Sequence, residues 1–152
     1  MNAIRKTAIL GAALAAGAVL GAPAVAHHST AAFDSERVVK IEGEITQFRW
    51  INPHASIKLE GVAELTYGED AEGDSAPDGL WTVEMTAPNI LIRQGWKRNS
   101  VQKGDKVTMF VNPLNNAITL NDGSQGGLYV GVILADGETL GRTDGEGQGS
   151  SD

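Results

Sequence analysis

Short runs of alternating apolar and polar residues, each cut off by glycine or proline, constrain this chain more than any other feature. Val39, Ile41, Gly43 and Ile45 alternate with Lys40, Glu42, Glu44 and Thr46, the period-2 pattern of a half-buried strand. Phe48 and Trp50 follow before Asn52-Pro53, where proline bars central-strand pairing. A second strand begins at His54, with Ala55, Ile57 and Leu59 against Ser56, Lys58 and Glu60, and continues through a kink at Gly61 to Tyr67. A third covers residues 80–86, with Trp81, Val83 and Met85 on one face and Glu84 on the outer one. A fourth covers residues 106–112 after the Lys103-Gly104-Asp105 turn. A last hairpin joins residues 128–134 to 138–140 through Asp136-Gly137, a two-residue turn signal.

One segment reads as a helix. Pro88 suits a first helical turn, Ile90, Leu91 and Ile92 are apolar, and Gly95 is placed to end it. Trp96 then packs back onto the sheet. Five or six short strands with a helix between the third and fourth predict an all-β fold, a small OB-like barrel, whose closure removes exposed edges. Another small β-barrel or a sandwich is the alternative. Residues 68–79 carry five acids among Gly and Pro and read as an exposed connector. Residues 113–127 read as loop, with 117–120 able to pair briefly. The expected organisation is a leader over 1–26, an extended arm over 27–37 anchored by Phe33, a barrel over 38–140 and a disordered Gly, Ser and acid-rich tail over 141–152.

The leader is read from its own pattern. Arg5 and Lys6 precede an unbroken run of small and apolar residues over 8–21, then Pro23 and Ala24-Val25-Ala26. Basic start, short apolar centre and small-x-small end make a secretory signal, with cleavage expected after Ala26. The run falls short of the roughly 20 residues a spanning helix needs, so no stable membrane anchor is expected after cleavage. The location expected is periplasmic or secreted. The 152-residue chain has no cysteine, which excludes disulfide staples and thiolate chemistry. The mature part carries 10 Lys and Arg against 19 Asp and Glu, a formal charge of -9, which argues against nucleic acid as partner.

The three histidines are His27, His28 and His54. Cleavage after Ala26 makes His27 the first residue, so its α-amino nitrogen and imidazole Nδ1 can chelate one ion together. A third imidazole completes a T-shaped set of nitrogens, suited to Cu(II), with Zn(II) as the rival. His54, beside a proline turn, is the natural third ligand. His28 is the alternative, although neighbours in an extended arm point to opposite sides. The arrangement resembles the histidine brace of copper monooxygenases and of some exported copper-binding proteins. The plainer reading is a polar arm at the terminus, with His54 bonded to backbone in its turn.

The ordered set His27-His28-Ser29, Phe33-Asp34, Trp50, Asn52-Pro53-His54, Trp81, Glu84, Pro88-Asn89, Arg93, Gly95-Trp96, Gly104-Asp105 and Asp136-Gly137 resembles an uncharacterised family of small exported bacterial proteins. The likeness runs over about residues 26–140; the acidic insert over 69–78 is long for that family, and Ser56 stands where it often has an aromatic residue. It implies an exported location and no established activity.

Other motifs carry less. Asp70, Glu72 and Asp74 alternate as in a calcium loop, but Ser75 stands where glycine is needed and no closing Glu follows. Ser29, His28 and Asp34 are triad residue types without a nucleophile elbow. Arg93, Trp96, Lys97 and Arg98 form a basic-aromatic patch, read as a core tryptophan beside a solvated helix end. The favoured function is a periplasmic module binding copper or another divalent ion through His27 and His54, a binding protein rather than an enzyme. The alternatives are a metal-free interaction or scaffold module with an unknown periplasmic protein as partner, and a copper redox enzyme.

Overall fold

The computed structural model describes residues 30–68, 76–115 and 119–145. Alternation becomes six strands: β1 (Val38–Arg49), β2 (Ser56–Tyr67), β3 (Gly79–Glu84), β4 (Lys106–Pro113), β5 (Gln125–Ile133) and β6 (Thr139–Gly141). One helix, α1 (Pro88–Arg93), lies between β3 and β4. Gly95, with φ at +94°, reverses the chain after it, a conformation open to glycine at little cost.

The sheet order is β3-β2-β1-β4-β5-β6, with a further pairing of β3 to β5. All neighbours are antiparallel except that last pair, which is parallel from Trp81↔Gln125 to Glu84↔Leu128. Five strands therefore close into a ring, with β6 appended to the far half of β5, and the fold is the expected all-β, OB-like one. Its inward residues are those that alternation selects: Ile41, Ile45, Ile57, Leu59, Trp81, Val83, Met109 and Val111, all at most 2% exposed. Each such side chain contributes about 1.5–3 kcal/mol by leaving water.

β1 and β2 run unusually close at Gly43↔Gly61. A Cβ built on Gly61 would collide with the Glu42 carbonyl oxygen, and one on Gly43 with that of Glu60. Neither glycine has positive φ. Proximity of backbones, not torsion, is what demands them.

The start of β5 and the end of the sheet differ from the sequence expectation. Residues 125–127 belong to β5, so the strand starts three residues earlier than its apolar pattern indicates; Gly126 and Gly127 carry no side chains to alternate. Of the expected tail over 141–152, Gly141 and Arg142 are part of the sheet region instead, because Gly141 pairs with Gly131 and the Arg142 amide donates to the Val130 carbonyl at 3.0 Å. Residues 146–152 lie outside the described residues. Of the brief pairing expected over 117–120, Thr119 bridges to Gln125, and 117–118 lie outside the described residues.

A polar clasp holds the ring shut. Lys58 on β2 pairs with Asp122, which accepts from the Ser124 hydroxyl at 2.6 Å, and Ser124 shares a 2.7 Å hydrogen bond with Thr82 on β3. The Lys58 ammonium first, and then the Ser124 hydroxyl and amide, hold the Asp122 carboxyl well below the usual carboxylate range.

Under α1, Trp96 is buried, and its Nε1 donates to the Tyr129 hydroxyl at 3.1 Å; that hydroxyl donates to the Leu140 carbonyl at 2.7 Å. Helix end, β5 and β6 are tied through one oxygen. Burial pushes the Tyr129 phenol up to about 12. The unfolded chain releases this proton near pH 10 while the folded one keeps it, so stability falls as pH rises from about 10 to 12, by up to about 2–3 kcal/mol. Urea midpoints measured across that range should drop accordingly, and Tyr129→Phe should flatten this part of the curve.

Candidate metal centre at the start of the second strand

Residues 50–55 connect β1 to β2 and include a cis peptide at Asn52–Pro53. The second strand starts at Ser56, two residues later than alternation from His54 indicates. Its lead-in is nonetheless fixed to the end of β3. The Ala55 amide donates to the Thr86 carbonyl at 3.2 Å, and the Met85 amide to that of Ala55 at 2.9 Å. Ala55 points inward with 0% exposure, so His54 is turned to the outer face. Ser56 lies opposite Glu84 in the register, and this brings Glu84 to the same outer surface as His54.

The His54 ring nitrogen Nδ1 lies 3.1 Å from the Met85 carbonyl oxygen and 3.3 Å from Glu84 Oε1. Both are acceptors, so Nδ1 carries the proton. In the neutral ring the lone pair is then on Nε2. This is how metal-binding imidazoles are commonly oriented, with a carboxylate or carbonyl behind the nitrogen opposite the metal. The His54 side chain is 40% exposed and that of Glu84 27%, a pair at the surface with its inner side covered.

The arm lies beside Glu84. Residues 30–37 are not simply extended: Thr30–Ala32 form a single 3-10 turn, closed by the Phe33 amide donating to the Thr30 carbonyl at 3.0 Å. Phe33 then bridges to Leu114, in keeping with its expected anchoring role, and the Asp34 amide donates to the Pro113 carbonyl at 2.8 Å. Asn115 holds the turn twice, its amide on the Ala32 carbonyl at 3.0 Å and its Nδ2 on the Ala31 carbonyl at 2.6 Å. Buried Asn112 holds the other end, its Nδ2 donating to the Arg37 carbonyl at 2.7 Å. Ala32, Phe33 and Glu84 line one cavity of about 180 Å³, with Leu114, Leu120 and Gly127 among its other walls. The arm therefore enters the domain beside the carboxylate that orients His54.

His27 and His28 lie outside the described residues. From His27 to Ala32 is five residues, which an extended chain spans over at most about 16–18 Å. Among the described residues no group of three or more His, Asp or Glu side chains gathers. An ion on His54 would draw its other ligands from beyond them or from solvent. The acidic residues Asp70, Glu72 and Asp74 and the triad-type Ser29 also lie outside. Asp34 caps the arm locally, accepting from the Glu36 amide at 3.0 Å. Trp96 is core, as expected, and Trp50 is only partly buried, edge-on to Phe48 at 5.6 Å between centroids. Phe48 continues the contact to Trp96. Sequence reasoning placed Glu84 on the right face but gave it no role, and it passed over Asn115. Only the register of β2 on β3 reveals the first, and only the docked arm reveals the second.

No curated protein matches the sequence. Among solved structures, the crystal structure of the mitochondrial single-stranded DNA-binding protein Rim1 from S. cerevisiae is similar, with 16% identity and a TM-score of 0.37 over 67% of this chain and 94% of that one. Residues 15–128, which hold all three histidines, Glu84 and Asn115, match a family of unknown function (DUF6152), and the chain belongs to that family.

Proposed function

We propose that this protein is an exported metal-binding module that captures Cu(II), with Zn(II) as the competing ion, through the mature amino terminus at His27 and the Nε2 of His54. The observation that carries this reading is the His54 ring, whose Nδ1 faces both Glu84 and the Met85 carbonyl, the orientation in which an imidazole offers its opposite nitrogen to a metal. Two further points support it. The arm that leads back to His27 is docked beside Glu84, and the residues before His27 have the form of a cleaved signal. A terminal amine and two imidazoles present three nitrogens, a set that suits the tetragonal preference of Cu(II). His28 is the substitute ligand in this scheme. The role is metal handling in the periplasm rather than catalysis.

The test is a Cu(II) titration of protein beginning at His27 against protein carrying one extra residue before it. The extension removes the amine-imidazole chelate and should weaken binding at least about tenfold. Protons compete for the same nitrogens, so affinity at the authentic terminus should fall steeply below about pH 6. Equal affinity with and without the extension, or an affinity indifferent to pH, refutes the reading.

A further inference from the structure

β5 opens with Gly126 and Gly127, which pair in parallel with Thr82 and Val83. A Cβ built on Gly127 would meet Val111 in the core, whereas one on Gly126 would meet the side chain of Leu114 and, at 3.7 Å, that of Leu120. Gly126 therefore faces out of the ring, on the surface that also carries Thr82 and Glu84 as alternation along β3 requires. With no side chain there, a hollow of about 180 Å³ lies over the seam, walled by Leu114, Leu120 and Phe33. Its polar groups are few. The Thr82 hydroxyl is engaged with Ser124 at 2.7 Å. Glu84 is the only charged residue in the lining. We propose that this hollow is a binding site for a small organic cation, an ammonium group on an apolar body about the size of one ring.

Volume sets the size, since an apolar cavity of about 150 Å³ holds benzene. Charge sets the class. An anion would be repelled by Glu84, and a neutral apolar guest would strip water from the carboxylate without replacing its hydrogen bonds. A hard metal ion of the calcium kind wants about six to eight oxygens, and among the described residues no three ligating side chains gather. An ammonium donates to the carboxylate while its carbon body meets the leucines, and an aromatic ring such as that of Phe33 attracts a cation over its face. No metal takes part, so this site stands or falls separately from the function proposed above.

The test titrates the full chain, in the presence of a chelator, with benzylamine, benzyl alcohol and phenylacetate: a cation, a neutral molecule and an anion of similar shape. Calorimetry gives the affinities, and amide NMR gives the place. Benzylamine should bind about tenfold tighter than benzyl alcohol, with phenylacetate weaker still, and the amide signals of Thr82, Gly126 and Gly127 should move together. Glu84→Gln should bring benzylamine down to the level of the alcohol and leave the alcohol as it was. Leu120→Ala, at an exposed position, should weaken both by about threefold or more and keep their ratio. Equal binding of the three probes, no binding of benzylamine at about 20 mM, or a cation preference that survives Glu84→Gln overturns the proposal. A Leu120→Ala protein that holds benzylamine as before overturns it too, because the cation then sits elsewhere on an acidic surface.

Discussion

Gly61→Val is expected to abolish cooperative folding of this domain at moderate temperature. The Cβ alone meets the Glu42 carbonyl oxygen of the paired strand well inside van der Waals contact, and the next atom it meets is the Gly43 Cα at 2.6 Å. All of these neighbours are backbone, so no side chain can turn aside; β1 and β2 would have to separate at the middle of their long hairpin. Overpacking typically costs about 1–3 kcal/mol and more when the backbone cannot yield, and for a domain of this size about 3 kcal/mol lowers the melting temperature by roughly 10 °C or more. Gly61→Ala should show the same effect in smaller measure. Gly104→Ala is the contrasting control, since nothing lies within 4 Å of its Cβ; it bears only the strain of a positive φ. A Gly61→Val protein with an unchanged thermal transition would show that the strands are farther apart than this.

The second large effect is at the candidate site. Glu84→Gln should lower Cu(II) affinity by about 10–100-fold, the range found when a partner behind a metal-binding imidazole is lost. The amide keeps the size of the side chain but removes the charged oxygen that faces Nδ1 and helps to fix the ring. His54→Ala should lower it at least as much, and combining the two should add little, because both act through the same nitrogen. The domain itself should remain folded, since neither side chain belongs to the core. Additive losses in the double variant would mean that Glu84 acts on the ion by some route other than His54.

How far the sequence alone leads can be followed element by element. β1, β2, β3 and β4 are legible because one face of each is buried and the other is wet, which forces a period of two. Met85, Trp81 and Ile57 are core for that reason and were readable as such. β5 is legible only from Leu128 onward. Its first residues pair in parallel with β3 across more than forty residues of chain, and no local pattern encodes a partner at that distance. The clasp that secures this pairing is equally silent: Asp122 and Ser124 look like any turn, and their meaning comes from Lys58 and Thr82 on other strands. His54 stands out because histidines are few, whereas Glu84 is one acid among many until the register places it 3.3 Å from the ring. Asn115 is the extreme case, an ordinary loop asparagine whose partners are carbonyls, and carbonyls are the same in every sequence.

The parallel pairing of β3 with β5 has a consequence beyond holding the domain together. A strand that loses its neighbour keeps its row of amides and carbonyls, and these pair as readily with another molecule as with their own. Were the ring to open at this seam, it would release the backbone of Trp81–Glu84 on one edge and of Gln125–Leu128 on the other. Each would be a template for a second copy of the chain. In a protein with no disulfide to limit such opening, the few polar groups at the seam decide whether neighbouring molecules ignore one another or begin to aggregate.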